Sequence, residues 1–439
     1  MAVVKLRKGY DLCLLGGVPD NSITPVECRM YAVVPDDFQG LVPRLDVKEG
    51  DTVKKGDRLC HDRQFAEIVI TSPVSGVVKE IKRGERRKIE AIIIEKNEEG
   101  SARVFDVKGD AKSILLESGL WACMTQRPYA VVPNPNVVPR DVFVTAFDSA
   151  PLAPDLMLEI KGKAKYVQRG IDVLASLTEG KVYVGVRCGS GIAVKNAVVT
   201  EFSGPHPAGN AGVQLANIKP VNKGETVWTL DIVTVARIGE LFTEGTVPYD
   251  TIVAVSGPRA NCPRYVSCEM GASLTSILNA NEIQSENKRI INGNVLSGVI
   301  ATSEDFLRFP YRHITIIDEL DNPGEFMGWA SLSPRKFSVY RSFFSWLCPR
   351  KPVNLDAKLN GGERAIVMSG EYDKMLPMDI YAEFLVKSVI AFDIEKMEQL
   401  GIYEVAPEDF ALCEFADTSK LELQRIVRDG LDKLRKEME

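Results

Sequence analysis

At 439 residues, 45% of them hydrophobic and 26% charged, the chain has material for about three soluble globular domains. Its formal net charge of −6 argues against nucleic acid as a partner. No run of about 18 apolar residues predicts a membrane span, and the opening MAVVKLRKGYDLCLL has too short an apolar stretch for a secretory signal, so the expected compartment is the cytoplasm. The nine cysteines are scattered, Cys262 and Cys268 being the closest pair, which excludes a disulfide framework and the C-x-x-C pairs of zinc and iron–sulfur sites.

Residues 40–95 alternate in short apolar and polar steps punctuated by Gly-Asp turns at Gly50-Asp51 and Gly56-Asp57, predicting a small all-β unit. Its halves echo each other, VKEGDTVKKGD against IKRGERRKI, and residues 35–98 resemble the barrel-sandwich fold of biotinyl and lipoyl domains. Those carriers hold their cofactor on a lysine at a hairpin tip. Here no lysine occurs between Lys55 and Lys79, so the fold is expected without the carrier function. His61 and Asp62 read as a polar turn before they read as an acid–base pair, and the basic run Lys79–Lys88 as a solvated hairpin before an anion site.

Residues 101–255 mix proline-rich loops with β-like runs at Asp141–Thr145, Lys181–Val186 and Asp231–Ile238, and helix-like segments at Asp110–Gly119 and Tyr166–Glu179. That alternation predicts a Rossmann-like α/β layer. The dinucleotide fingerprint is missing, because Gly189-Ser190-Gly191 continues as IAVKNAV with no third glycine; NADH and flavin are not expected here. The loop SGPHPAGNAG (203–212) has two prolines flanking His206, which remove backbone donors and stiffen the chain, the opposite of a phosphate cradle.

Residues 251–302 run strand-like (TIVAVSG), briefly helical (GASLTSILNANEI) and β-like again (RIINGNVLSGVIA). Further on, Phe337, Tyr340 and Phe344 recur at helical spacing within KFSVYRSFFSWLC, an aromatic stripe that reads as core first and as a docking patch second. Leu423, Ile426, Val427, Leu431 and Leu434 share one face of a C-terminal helix.

Several segments, in order along nearly the whole chain, resemble one family: KLRKGYDL, SGPHPAG, GASL (271–274), RIINGNVLSG (289–298), EFMGW (325–329), PRKFS (334–338), GEYDKMLPMDI (370–380) and EDFALCEF (408–415). The family is that of the A subunit of the Na+-translocating NADH:quinone reductase (Nqr), with a more distant resemblance to the C subunit of Rnf complexes and the NADH-binding subunit of respiratory complex I. The resemblance implies an α/β and α+β multidomain chain: a barrel-sandwich (biotinyl/lipoyl-like) domain over 1–100, a Rossmann-like α/β domain over 101–250, a β-grasp module over 251–310 and a mainly helical C-terminal domain over 311–439. The chain departs from the family after Cys413, reading FADTSKLE where the family runs through a C-P-G-K-Y-E type segment, so no role is carried over to that loop.

By the same resemblance the chain is a peripheral subunit on the cytoplasmic face of the bacterial inner membrane, with no span of its own and with the other subunits, mainly the membrane ones, as partners. NADH, FAD, FMN, riboflavin and 2Fe-2S belong to those subunits; this chain holds no tight cofactor and is not catalytic alone. Quinone is its one candidate ligand, with Phe202, Ser203, Gly204, Pro205, His206 and Gly209 as candidate contacts, against the preferred reading in which His206 is a hydrogen-bonded structural residue. Phe343, Phe344 and Trp346 are the candidate partner-docking residues. A stand-alone flavin- or quinone-dependent soluble oxidoreductase is the alternative.

Overall fold

A computed structural model describes residues 2–97, 100–283, 287–319, 337, 339, 343–347, 351–359 and 362–438. Two small antiparallel sheets form the N-terminal sandwich. One has the order Met30–Val33, Ile89–Lys96, Gly76–Arg83, Thr52–Val53, and the other Pro43–Leu45, Arg58–Asp62, Val69–Thr71. Inward residues of both, such as Leu59, Ile70, Val78 and Ile92, are almost completely buried between them. The turn after Arg58–Asp62 is tied by the Asp62 carboxylate, which accepts from the amides of Val42, Gln64 and Phe65, while His61 pairs through Nδ1 with Asp46 at 2.9 Å. Both residues are structural turn and strand elements.

The segment before residue 30 leaves this sandwich, although the expected domain begins at residue 1. Ala2–Lys5 adds a parallel edge strand to a six-stranded sheet with the order Ala2–Lys5, Val198–Ser203, Val182–Arg187, Val142–Thr145, Val227–Asp231, Thr125–Arg127. Only the last strand is antiparallel. Ala164–Ser176 and Ile232–Glu244 pack against each other and against the sheet, with Gly170 and Gly239 at their crossing.

The run Asp231–Ile238, expected as a strand, is a helix. Asp231 ends the preceding strand and its side chain accepts from Thr234 N at 2.7 Å as an N-cap, and a left-handed Gly245 closes the other end. Ten of its thirteen residues are buried, Thr234 and Arg237 among them, and because every residue from 232 to 239 is buried that stretch shows little of the 3.6-residue signature of a half-exposed helix. The helices expected near 110–119 and 166–179 lie at Ala111–Ser118 and Ala164–Ser176.

A third sheet is mixed, in the order Val299–Ala301, Lys288–Asn292, His313–Asp318, Asp250–Ser256, Arg264–Glu269, Ile23–Pro25. Its central strand His313–Asp318 lies beyond the boundary expected at 310. The C-terminal residues build a separate core in which Leu385, Val386, Phe410, Val427 and Leu431 are fully buried, with Leu423–Met438 laid across Ala382–Ala391. Among the contacts that weld it to the sheet layers, Arg127, 1% exposed, pairs with Asp409 and Glu408 at 3.1 and 2.6 Å, and Arg428 donates to the carbonyls of Tyr129 and Ala130.

Candidate functional site

The sandwich, the parallel sheet layer and the mixed sheet meet around one cleft enclosing about 770 Å³, its open mouth included. From the sandwich come Val33, Phe38 and Thr71; from the α/β layer Cys123, Arg237 and Tyr249; from the mixed sheet Gly271 and the turn Leu307–Arg312. The approach of the first and third units depends on Gly271. It holds φ +78°, its carbonyl accepts from Ala32 N at 2.8 Å, and a Cβ there would lie 2.3 Å from the Ala32 carbonyl oxygen.

The walls are largely apolar. Phe38 and Phe309 stack with centroids 5.3 Å apart and planes 10° from parallel. Beside them Asp37 accepts from Arg308 Nε at 2.7 Å and from Phe309 N at 3.0 Å. Burial pushes the Asp37 carboxyl up to about 6, against the opposing pull of Arg308. Thr71 Oγ1 donates to the Ser118 carbonyl at 3.1 Å and accepts from the Tyr249 hydroxyl at 2.5 Å. Burial raises the Tyr249 phenol and pushes the Cys123 thiol up to about 12, so both are neutral walls.

The polar floor is a pair of guanidinium groups. Arg237, 4% exposed, donates Nη2 to Glu159 at 3.1 Å and to the Asp250 carbonyl at 3.0 Å, while its Nε has no hydrogen-bond partner among the described residues. Arg312 donates to Asp231 at 3.1 and 3.3 Å, and its Nε lies 3.2 Å from Glu159 without the alignment of a hydrogen bond. Burial alone would lower Arg312, but Asp231 and Glu159 outweigh it and its guanidinium is held above the ordinary value. Both arginines line the cleft, and each keeps one buried Nε without a hydrogen bond, a donor that native interiors seldom leave unused.

The same network fills another place where ligands bind. In open parallel sheets that place is the carboxyl end of the strands where their order reverses, here between Val142–Thr145 and Val227–Asp231. There the Asp231 carboxylate occupies the helix N-terminus and pairs with Arg312, so the positive end of the helix meets the chain's own anion instead of a phosphate. Gly189 and Gly191, both at positive φ, make an ordinary turn with Ser190 N bonded to the Arg187 carbonyl.

The candidate loop residues Phe202, Ser203, Gly204, Pro205, His206 and Gly209 do come together, some distance along the sheet edge. Phe202 is fully buried against Phe147 and Ala208. His206 is 4% exposed: its N donates to Asp11 at 2.8 Å, its carbonyl accepts from Tyr10 N at 2.9 Å, and its Nδ1 is 3.0 Å from Ser149 Oγ, which also accepts from Gly209 N at 2.8 Å. Burial lowers the imidazole to about 4, so it is the neutral partner of the Ser149 hydroxyl. The His206 backbone and Nδ1 are used within the chain, and the bonds to Asp11 and Tyr10 clamp the N-terminal segment.

Of the aromatic stripe, Phe344 and Trp346 are 48% and 41% exposed, Phe343 is half-buried, and Phe337 packs with Tyr10 and Phe415; Tyr340 and the segment EFMGW lie outside the described residues. Among the described residues no three His, Cys, Asp or Glu side chains are grouped to hold a metal, and no helix is long and apolar enough to cross a membrane.

Three family descriptions match in succession: the NqrA N-terminal barrel-sandwich hybrid domain over residues 4–97, the NqrA second alpha/beta domain over 108–247 and the NQRA C-terminal domain over 252–303. The Na(+)-translocating NADH-quinone reductase A subunit of Saccharophagus degradans is 36% identical, over 99% of this chain and 100% of the relative. The chain belongs to this NqrA family. The corresponding subunits of Shewanella frigidimarina and Neisseria meningitidis serogroup C are each 34% identical over 99% of this chain and their whole length. Among solved structures, the air-oxidized NAD+-reducing [NiFe]-hydrogenase is similar at a TM-score of 0.30 and 13% identity, over 43% of this chain and 42% of that chain, too slight a likeness to bear on fold or function.

The cleft residues Arg237, Arg312, Tyr249 and Thr71 are absent from the sequence-derived candidates. One signal was available for Arg237: it is the lone cation in the largely apolar run IVTVARIGELF.

Proposed function

We propose that the chain serves as the peripheral A subunit of a Na+-translocating NADH:quinone reductase on the cytoplasmic face of the inner membrane, and that its own chemical task is to hold a quinone ring in the three-unit cleft. NADH oxidation and the flavin and 2Fe-2S centres belong to partner subunits. The observation that supports the ligand role is Arg237, which lines a largely apolar cleft together with the stacked Phe38 and Phe309 and whose buried Nε has no hydrogen-bond partner among the described residues. A quinone presents two flat faces for aromatic and aliphatic walls and a carbonyl for a buried donor. Exposed Phe344 and Trp346, with Phe343, supply part of the docking face toward the other subunits. Rossmann-like and β-grasp kinship of the second and third units fits this reading, as does a helical C-terminal domain.

The test is titration of the purified chain with a short-chain quinone. Arg237→Lys keeps the charge and the Glu159 partner but removes the guanidinium geometry, and it is expected to weaken binding by about 2 kcal/mol, roughly 30-fold. His206→Ala is expected to leave affinity unchanged. The reverse pattern would move the ligand to the 203–212 loop, and no binding in any protein would leave the chain with an assembly role only.

A further inference from the structure

The longest hairpin of the sandwich, Gly76–Arg83 with Ile89–Lys96, ends in a tip whose charge opposes that of the chain. Between Lys79 and Glu90 there are six cations and three carboxylates, Glu80, Glu85 and Glu90, on a chain whose net charge is −6. Lys79 pairs with Glu95 and Lys88 with Asp36. Among the described residues none of Lys82, Arg83, Arg86 and Arg87 pairs with a carboxylate, and all four are exposed. The tip is held in shape by the chain itself: Gly84 N donates to the Lys88 carbonyl at 2.9 Å, Lys88 N to the Glu85 carbonyl at 3.1 Å, and Arg86 and Arg87 sit at positive φ.

We propose that this hairpin tip is an electrostatic foot that rests on an anionic bilayer surface. The choice of partner follows from what the tip lacks. A protein interface is centred on buried apolar or aromatic groups, whereas the two apolar residues here face inward, Ile89 buried and Ile81 half-buried with its N bonded to Glu49. A surface whose exposed side chains are all ionic suits a diffuse layer of headgroup charge, to which each nearby Lys or Arg adds about five-fold in partition. The setting rests on the membrane-complex reading above, but the test needs no other chain.

Purified full chain is sedimented with vesicles of phosphatidylcholine alone and of phosphatidylcholine with about a third phosphatidylglycerol, at about 50 and 500 mM salt. Binding is expected only with phosphatidylglycerol and at the lower salt. Two variants that keep the fold, Arg86→Gln/Arg87→Gln and, independently, Lys82→Gln/Arg83→Gln, are each expected to weaken it about 25-fold, and Glu85→Gln to tighten it about five-fold. Absence of phosphatidylglycerol-dependent binding, or both double variants binding like the parent, overturns the proposal. So does a chain that ignores vesicles yet is shed from a detergent-solubilised complex by the same substitutions, which would assign the tip to an acidic protein face. Failure of complex membership reads out separately, as loss of co-purification with vesicle binding intact.

Discussion

His206 separates a structural from a ligand-binding role through its proton. Its folded value of about 4 lies below the ordinary 6.5 because burial disfavours the imidazolium. For a base lowered in this way, the unfolded chain takes up the proton first, so stability is whole above about pH 6.5 and is lost as the pH falls toward 4. Between pH 7.5 and pH 5 the loss from this one group is about 2 kcal/mol. His206→Gln breaks the 3.0 Å Ser149 bond and costs about 1 kcal/mol at pH 7.5, but it has no proton to take up. The parent should therefore be the more stable protein at pH 7.5 and should lose that lead, or fall behind, at pH 5. His313, lowered to about 3 by burial, adds a loss of the same sign. Asp37 and Asp409, both raised to about 6, act oppositely because the folded chain holds their protons more tightly. All three are common to parent and variant and cancel in the difference. Urea unfolding followed by tryptophan fluorescence, with Trp121 and Trp228 as buried reporters, measures it. A gap between parent and variant that stays the same at both pH values refutes a buried neutral imidazole.

Further substitutions probe two joints between units and the aromatic patch. Arg127→Met strands the buried Asp409 and should destabilise the chain by about 3–5 kcal/mol in the same urea assay, with Asp409→Leu added on top recovering most of it. Gly271→Ala forces a side chain into a left-handed position and against the Ala32 carbonyl, so a loss of at least about 1–2 kcal/mol is expected, together with weaker quinone binding as the cleft opens. Phe343, Phe344 and Trp346 replaced together by serine should release the protein from its complex in co-purification while the melting temperature of the isolated chain is nearly unchanged; a collapse of that temperature would mean the stripe is core.

How much of this was legible depends on the range of the interactions. The sandwich was, because Gly50-Asp51 and Gly56-Asp57 turns and two-residue alternation are local, as was the helix expected over Asp110–Gly119, whose ends are local too: Asp110 accepts from Ser113 N and Gly119 is left-handed. The helix Ile232–Glu244 was not, because burial on several sides erased its period. Nor were the strands Ala2–Lys5 and Ile23–Pro25, short and fully or largely exposed in their own side chains, whose only reason to be strands is an edge built from residues nearly 200 and 240 positions away.

The site follows the same rule more severely. His206 drew notice because two prolines and a rare histidine stand together, yet such a cluster marks a stiff loop, and stiffness serves a clamp as well as a pocket. The cleft has no cluster in sequence at all: Phe38, Thr71, Arg237, Gly271 and Arg312 are each ordinary where they stand, and the chemistry arises only when three units close on one another. That closure is itself ionic. Glu159 and Asp231 between them engage both Arg237 and Arg312, two carboxylates against two guanidinium groups, so the floor is neutral as a whole while one Nε on each arginine is left without a hydrogen bond. A neutral floor with spare donors discriminates among ligands. A phosphate or carboxylate would enter beside two fixed carboxylates with no net positive charge to hold it, whereas an uncharged carbonyl gains a charge-assisted bond without disturbing the pairs. Neutralising Glu159 should invert that preference: Glu159→Gln makes the floor net positive and is expected to shift binding from the neutral quinone toward anionic competitors, measured by competition with an aromatic carboxylate of similar size. Unchanged relative affinities would show that the arginine pair does not form the floor of the ligand site.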